Sequence, residues 1–300
     1  MAKKKIVVTG AAGHITRMLL PALREKYDLV LLDVTQEGRG GTVDDIIKVD
    51  LMDPDLDKYR AHFAGADAVI HNGRYKDRDD PNRATGPNHQ WKAGEPPIPT
   101  DGFFAERTNL DMAFNIYKLA FEEGIGRVVI SSSNHAADWY ETKLHCGEMD
   151  TVGPDDYPKS DNFYGWCKIS YEALGFVFAA GRLGRAVESV NIRIGAPRDL
   201  NIAKLAANQV SLRRDLGAYI SERDIQQLFI KSIETDDVRN EDGIPFQAFY
   251  GISNNTRAFW SIANARQVIG YAPEDDSERI YAAEIKEHVT ELGRTYAPKP

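Results

Sequence analysis

Three side chains near the middle of the chain have the types that acid–base chemistry requires. The segment Tyr164-Gly165-Trp166-Cys167-Lys168 places a phenol and an ammonium four residues apart, and therefore on one face of a helix. A free tyrosine titrates near pH ~10, but an adjacent lysine cation favours the phenolate and lowers the pKa of the phenol. The pair alone is a weak signal, because one chance match is expected among 13 tyrosines. Its meaning depends on the elements around it.

A serine-rich segment precedes the Tyr–Lys pair. Ser131–Ser133 ends an apolar, strand-like run. Hydroxyls at the carboxyl end of a strand beside a ligand crevice can hold a reacting oxygen and orient a general base. We therefore expect Ser133 to position the substrate oxygen, Tyr164 to act as acid and base, and Lys168 to lower the pKa of Tyr164.

A glycine-rich turn follows the first strand-like run, Lys5–Thr9. Glycines between a strand and a helix let the backbone approach a pyrophosphate, whose charge then lies at the helix N-terminus. Asp33 ends the next strand-like run, twenty residues after Gly13, where a carboxylate accepts hydrogen bonds from ribose and repels a 2′-phosphate. This pattern predicts NAD rather than NADP as the cofactor. The turn and the strand ends assign these residues to the cofactor site: Gly10, Gly13, His14, Ile15, Asp33, Asp50, Leu51, Asn72, Ser131, Tyr164 and Lys168.

The pair Asp50-Leu51 has two interpretations. It closes the third strand-like run and is placed to meet the adenine ring of a dinucleotide. Equally, it is an ordinary strand end followed by a helix cap.

Strand-like and helix-like segments alternate over the first two thirds of the chain. This alternation predicts an α/β fold, a Rossmann doubly wound parallel sheet. The strand-like runs are Lys5–Thr9, Leu29–Asp33, Ile46–Asp50, Ala68–Asn72, Arg127–Ser132, Ser189–Ile194 and Gln247–Ile252. Apolar residues at helical spacing occur in His14–Lys26, Asp55–Phe63, Leu110–Glu123, Tyr164–Arg182, Ser221–Glu234 and Ser261–Ile269.

The chain divides by composition into two integrated parts. Residues 1–195 are expected to form the dinucleotide-binding domain, and residues 196–300 a smaller, mostly helical region that binds substrate. The segment 74–107 is polar, rich in proline and glycine and without a clear period. It has two interpretations: a lid over the substrate, or a segment outside the mechanism that is either a mobile surface loop or an oligomer contact.

Bulk composition excludes several classes of partner. The 300 residues are 42% hydrophobic and 27% charged, as in an ordinary globular protein, and the net charge of −8 provides no basic field for nucleic acid. No apolar stretch approaches the length of a membrane span. Two cysteines cannot make a disulfide framework, so we expect a cytoplasmic protein. His135, His145 and Cys146 lack a fourth ligand at a recognisable spacing, and no metal is expected.

These motifs together resemble those of the extended short-chain dehydrogenases/reductases. The glycine turn, Asp33, the Asp-Leu pair, the serine strand end and the Tyr-x-x-x-Lys segment occur in that family's order, and the resemblance covers most of the chain. It implies that Asn109 is the family's structural asparagine near the nicotinamide ribose. One departure is Thr16, which stands where a third glycine is usual and predicts a slightly larger distance between the first helix and its strand.

A narrower resemblance concerns the residues after the serine strand. Asn134-His135, the segment Arg213–Leu216 and the segment Tyr250–Arg257 are similar to the uronate dehydrogenases and related NAD-dependent aldose dehydrogenases. The resemblance implies that Ser133, Asn134 and His135 hold a sugar acid, and that Arg214 faces its carboxylate. The implied reaction is oxidation of the anomeric hydroxyl of a cyclic sugar or sugar acid to a lactone.

Two other functions stay open from the sequence. The first is a nucleotide-sugar epimerase or dehydratase, which would hold NAD tightly and need a larger C-terminal lobe. The second is an NAD(H)-binding redox sensor without catalysis, a class that typically lacks the Tyr–Lys pair. The resemblance also implies a homo-oligomer that pairs through the helices predicted at Leu110–Glu123 and Tyr164–Arg182.

Overall fold

A seven-stranded parallel sheet forms the centre of the protein in a computed structural model that describes residues 2–38, 40–75 and 100–289. Its strands bury nearly continuous apolar runs, as expected for a sheet covered on both faces. They are β1 (Lys5–Thr9), β2 (Asp28–Asp33), β5 (Ile46–Lys48), β6 (Ala68–His71), β7 (Arg127–Ser133), β8 (Glu188–Ile194) and β9 (Phe246–Gly251). A small antiparallel hairpin, β3 (Glu37–Gly38) and β4 (Gly41–Thr42), follows β2.

The strand order is β5-β2-β1-β6-β7-β8-β9, and every neighbouring pair is parallel. The chain runs outward from β1 in one direction and then returns to continue from β6 in the other. The order therefore reverses between β1 and β6, which is where open α/β sheets bind ligands at their carboxyl edge. The predicted doubly wound parallel sheet is confirmed.

Helices cover both faces of the sheet. The alternation of side chains along β1 sends Ile6 and Val8 into one hydrophobic cluster with α1 and α7, and Val7 into another with α2 and α4. A third, smaller cluster joins the C-terminal helices. The helices are α1 (His14–Lys26), α2 (Gly102–Glu122), α3 (Trp139–His145), α4 (Phe163–Ala179), α5 (Ile202–Leu205), α6 (Gln209–Ala218), α7 (Glu222–Glu234), α8 (Ala263–Ile269), α9 (Ser277–Ile280) and α10 (Ala282–His288).

The helix predicted over Asp55–Phe63 is wrong. The structure has two 3-10 turns there, Leu56–Lys58 and Arg60–His62. Tyr59 between them departs from helical geometry with φ −136° and ψ −1°, which divides the segment. Leu56, Tyr59 and Phe63, spaced three and four positions apart, are all buried by the two 3-10 turns, so the pattern that suggested an α-helix is satisfied without one.

The polar segment 74–107 ends in a helix rather than in a loop. α2 begins at Gly102, eight residues before the start predicted at Leu110. Phe103 in its first turn packs against Trp166 with ring centroids 5.1 Å apart, and this contact with α4 extends the helix. Residues 76–99 of the segment lie outside the described residues, so the two interpretations of its role stay predictions.

The C-terminal third is mostly helical but contributes one strand to the sheet. β9 pairs with β8 through six residues, from Phe246 to Gly251. In the part of the chain that the structure describes, no helix is both long and apolar enough to cross a membrane.

Candidate active site

A cavity of about 510 Å³ opens at the carboxyl edge of the sheet, where the strand order reverses. Most residues assigned from the sequence line it, including the whole predicted catalytic set. Two do not, Asn109 and Asn134. The assigned residues that line it are Gly10, Gly13, His14, Ile15, Asp33, Asp50, Leu51, Asn72, Ser131, Ser133, His135, Tyr164, Lys168 and Arg214.

The glycine turn is shaped by close backbone contacts. Gly10 has φ +68°, and a Cβ there would lie 2.6 Å from the backbone of Asn72 and Gly73. Gly13 caps α1 without a side chain, and a Cβ there would lie 3.0 Å from the Gly10 carbonyl oxygen. The first turn of α1 carries no acidic residue. Its N–H groups are therefore open to an anion, and this turn fits the pyrophosphate of a dinucleotide.

Asp33 has a structural role in addition to the predicted contact with ribose. One of its oxygens accepts a hydrogen bond from Ala12 N at 3.0 Å, and the other accepts one from Val34 N at 2.7 Å. The carboxylate therefore holds the glycine turn while lining the cavity. Asp50 is similar, because it lines the cavity and accepts a hydrogen bond from Met52 N at 2.9 Å. Both interpretations of Asp50 are thus compatible with its position.

Thr16 joins α1 to the glycine turn and to the next strand. Its side chain is fully buried, and its hydroxyl donates to the Gly10 carbonyl at 2.8 Å. Asn72 donates to the same hydroxyl at 3.0 Å and accepts from Ser131 Oγ at 2.5 Å. The residue that departs from the usual third glycine is therefore part of a polar network behind the cofactor crevice.

The N-terminus of α4 positions the Tyr–Lys pair. Asn162 caps this helix by accepting a hydrogen bond from Gly165 N at 2.9 Å. Lys168 Nζ donates to the Ser131 carbonyl at 2.8 Å and lies 5.7 Å from the centre of the Tyr164 ring. Burial lowers the pKa of Lys168 to about 8. Ser133 lines the same cavity and lowers the pKa of Tyr164, so the three predicted catalytic groups lie together.

A second cation lies closer to Tyr164 than Lys168 does. The guanidinium carbon of Arg74 is 4.3 Å from the centre of the Tyr164 ring, and Arg74 forms an ion pair with Glu106. Burial raises the pKa of Tyr164, whereas the positive charge of Arg74 and the hydrogen bond from Ser133 lower it. The sequence placed Arg74 in the polar segment and did not assign it to the catalytic site.

Asn109 acts behind the cavity. Its side-chain oxygen accepts from Tyr75 N at 2.7 Å, and its amide nitrogen donates to the Tyr75 carbonyl at 3.1 Å. The same amide donates to Glu106 at 3.2 Å. Asn109 therefore fixes the backbone next to Arg74, together with the carboxylate that pairs with Arg74.

His135 forms a dyad with an aspartate that sequence analysis did not assign. His135 Nδ1 lies 2.8 Å from both Asp138 oxygens, and its ring is 5.5 Å from the Tyr164 ring. Burial lowers the pKa of His135 to about 3 and raises that of Asp138 to about 8. Because burial disfavours the charged form of each partner, we expect the dyad to hold one proton at neutral pH and no net charge.

Arg214 lines the cavity as expected, but its charge is already paired. Its Nε lies 3.0 and 2.9 Å from the two oxygens of Glu141, and both side chains are buried. Asp138 and Asp215 lie 4.0 and 3.6 Å from its terminal nitrogens. Among the described residues, none accepts a hydrogen bond from the buried Arg214 Nη2. The i, i+3 spacing of His135 and Asp138, and Glu141 three residues later, were the signals available in the sequence.

Within residues 2–38, 40–75 and 100–289, no three His, Cys, Asp or Glu side chains cluster as a metal site. Cys167, inside the Tyr–Lys turn, is fully buried and donates a hydrogen bond to the Glu106 carbonyl at 3.1 Å. Its role in this structure is packing between α4 and α2.

The chain is similar to several curated sugar dehydrogenases, although no protein-family model matches it. It is 28% identical to an NAD-dependent glucose-6-phosphate dehydrogenase of Haloferax volcanii, over 91% of this chain and 94% of that protein. It is also 28% identical to an L-arabinose 1-dehydrogenase (NAD(P)(+)) of the same organism, over 92% and 98%. A uronate dehydrogenase of Pseudomonas putida is 26% identical, over 93% and 87%.

Solved structures give the same fold. The crystal structure of uronate dehydrogenase from Agrobacterium tumefaciens superposes with a TM-score of 0.70 at 23% identity, covering 98% of this chain and 92% of that one. The epimerases among the structural neighbours superpose less closely, for example a UDP-N-acetylglucosamine 4-epimerase from Bacillus cereus with a TM-score of 0.61 at 13% identity. The resemblance predicted from the motifs is thereby confirmed: the chain is similar over most of its length to NAD-dependent sugar dehydrogenases and has the fold of uronate dehydrogenase.

Proposed function

We propose that the protein is an NAD-dependent dehydrogenase that oxidises the anomeric hydroxyl of a sugar or sugar acid to a lactone. The observation that carries the proposal is the convergence of Ser133, Tyr164 and Lys168 in the cavity beside the glycine turn. The similar proteins support it, because their names describe dehydrogenases of a sugar phosphate, an aldose and a uronate, and the first two names give NAD or NAD(P) as the cofactor.

Each residue has a role that follows from its contacts. Ser133 holds the anomeric oxygen and the phenol of Tyr164. Tyr164 takes the proton of the anomeric hydroxyl, and the cations of Lys168 and Arg74 favour the phenolate that accepts it. When bound, NAD accepts the hydride from C1. Loss of this proton and hydride is a two-electron oxidation that leaves the C1–O bond as the lactone carbonyl.

The cofactor is held by the turn and by the strand ends around it. Gly10 and Gly13 admit the pyrophosphate to the N-terminus of α1. Asp33 accepts hydrogen bonds from the adenosine ribose hydroxyls and repels a 2′-phosphate, which favours NAD over NADP. Asp50, Leu51, Asn72 and Ser131 complete the wall of the cavity on the cofactor side.

Formation of NADH with a panel of uronic acids, neutral aldoses and sugar phosphates tests the proposal. The Tyr164→Phe variant removes one hydroxyl and leaves the cofactor crevice intact. We expect its kcat to fall by about 10²–10⁴-fold, the usual contribution of general acid–base catalysis. Its affinity for NAD, measured by quenching of intrinsic fluorescence, should stay close to that of the wild type.

Three results would reject the proposal. Turnover near the wild-type rate in Tyr164→Phe would mean that another group is the base. NAD that stays unreduced while a nucleotide sugar is converted would favour an epimerase or dehydratase. Binding of NADH without turnover of any substrate would favour a redox sensor.

The assembly and location are part of the same proposal. We expect a homo-oligomer that pairs through α2 and α4, because both helices expose large apolar side chains, among them Phe104, Phe114, Phe176 and Val177. A cytoplasmic location rests on the low cysteine content of the sequence.

A further inference from the structure

Among the residues that the structure describes, three arginines line the cavity, and each forms an ion pair with a carboxylate of its own. The pairs are Arg74 with Glu106, Arg198 with Asp215 at 3.0 Å, and Arg214 with Glu141 at 2.9 Å. An arginine with this partner contributes no net charge to a ligand beside it. The part of the cavity that these arginines line therefore differs from a site built to bind an anion, where arginines point unpaired at the ligand.

The pair closest to the His135 side of the cavity is also the most buried. Arg214 and Glu141 are each only 8% exposed, so solvent does not screen the charge of either one. Asp138 adds a second carboxyl group 4.0 Å from Arg214. His135 is hydrogen-bonded to Asp138, and burial lowers the pKa of the imidazole to about 3, so the histidine provides no cation to offset a further anion.

We propose that the cavity selects a sugar that is uncharged at the end held by His135 and Arg214, and that Glu141 sets this selectivity. This inference rests on the proposed function and specifies its substrate class, a neutral aldose. A substrate carboxylate at this end would lie beside Glu141 and Asp138, in a buried cluster whose arginine is already neutralised. It would have to lose its hydration without gaining an uncompensated positive charge.

A neutral hydroxyl suits the same groups. It accepts a hydrogen bond from the buried Arg214 Nη2, for which the described part of the chain offers no other acceptor. It also donates to a carboxylate oxygen or to the histidine, because a hydroxyl is both donor and acceptor. A site built from paired arginine and carboxylate side chains can thus satisfy both the donor and the acceptor of a substrate hydroxyl. A carboxylate on the substrate could only accept hydrogen bonds.

The test compares sugars of the same ring stereochemistry that carry a neutral or a charged group at C6. The ratio of kcat/KM is measured with NAD for glucose against glucuronate and glucose 6-phosphate, and for galactose against galacturonate. We expect the neutral sugar to be preferred at least tenfold in each pair, a difference of about 1.4 kcal/mol. In Glu141→Gln, which frees the charge of Arg214 and keeps the side-chain shape, the ratio of uronate to aldose should rise by about tenfold or more.

Glu188→Gln is the matched control. Glu188 makes the same kind of ion pair with Arg127, 2.6 Å from its Nε, at the amino end of β8 and away from the cavity. Loss of the Glu188 charge should leave the ratio of kcat/KM for uronate to that for aldose unchanged.

Preference of the wild type for a uronate overturns the inference whether or not Glu141→Gln folds. An unchanged ratio in a folded Glu141→Gln, checked by thermal unfolding, overturns it too. Absence of NADH with every sugar would instead reject the proposed function, and this inference with it.

Discussion

Tyr164 must become a base although its surroundings oppose ionisation. Burial raises the pKa of the phenol, and Glu106 raises it further, while Arg74 and the hydrogen bond from Ser133 lower it. Lys168, the cation named from the sequence, has a pKa lowered by burial to about 8, so its charge declines above neutral pH. The guanidinium of Arg74 is nearer and keeps its charge throughout. Arg74 is therefore the steadier of the two cations beside Tyr164.

Arg74→Gln should move the pH profile of kcat/KM to higher pH. The rise of activity with pH follows deprotonation of Tyr164, and removing the cation over its ring destabilises the phenolate and raises its pKa. We expect a shift of about 1 pH unit or more, in the range of a charge at this distance. Arg74→Lys, which keeps a positive charge, should shift the profile less.

Glu106→Gln provides the opposite change at the same place. It removes the carboxylate that raises the pKa of Tyr164 and pairs with Arg74, so the rise of kcat/KM with pH should move to lower pH. Profiles that coincide in all three variants would show that Arg74 only packs against Tyr164.

Asp33→Asn should narrow the preference for NAD over NADP. The amide keeps one oxygen, which can accept the hydrogen bond from Ala12 N that holds the glycine turn, while the hydrogen bond from Val34 N and the charge are lost. We expect kcat/KM with NADP to rise relative to that with NAD, because the repulsion of a 2′-phosphate disappears. Wild-type protein that already prefers NADP would contradict the role given to Asp33.

At the scale of elements, α4 must lie against the 3-10 turn that carries His135. Gly165 makes this approach possible, because a Cβ there would lie 2.3 Å from the His135 carbonyl oxygen and 2.0 Å from Ser160 Oγ. The helix begins at Phe163, one residue before Tyr164, so any displacement of its first turn moves the catalytic phenol.

Gly165→Ala should therefore reduce both activity and stability. The added methyl group must push the helix from the turn, a strain that typically costs about 1–3 kcal/mol. We expect a lower melting temperature and a fall in kcat larger than the change in NAD affinity. Gly126→Ala is the control, because the nearest atom to its Cβ would be 3.9 Å away. Equal behaviour of the two variants would show that the helix adapts without moving Tyr164.

The sequence located most elements because their patterns are local. Strand β1 and helix α1 have the predicted bounds, since an apolar run marks β1 and the glycine turn marks where β1 ends and α1 begins. The helix predicted at Asp55–Phe63 failed because 3-10 turns bury the same residues, and the start of α2 was missed because it depends on the contact between Phe103 and Trp166. The residues of the cavity were likewise predicted only where a local motif marks them. Motifs placed Tyr164 and Lys168, but the partners of the arginines come from distant segments and leave no local pattern.

At the scale of the whole molecule, the order of the strands explains why separate motifs share one cavity. The glycine turn follows β1, the serine segment ends β7, and Arg214 comes from α6 in the C-terminal third. Because all the strands of the large sheet are parallel, their carboxyl ends lie at one edge, and the C-terminal helices approach the same edge. β9 ties this last third to the sheet through its pairing with β8. The substrate end and the cofactor end of the cavity are therefore both built on the carboxyl edge of one sheet.

Phe114→Asp should dissociate the proposed oligomer into monomers. Phe114 is 46% exposed on α2 and touches an aromatic cluster between α2 and α4, where its ring lies 6.3 Å from that of the buried Phe178. A second copy would cover this surface, and a charge there would have to be desolvated on association. Light scattering after size-exclusion chromatography should give a larger mass for the wild type and the monomer mass for the variant. Leu183→Asp, at a residue 49% exposed beyond the end of α4, should keep the larger mass. A wild type that is monomeric at micromolar concentration would contradict the prediction, and a variant that keeps the larger mass would place the contact on another face.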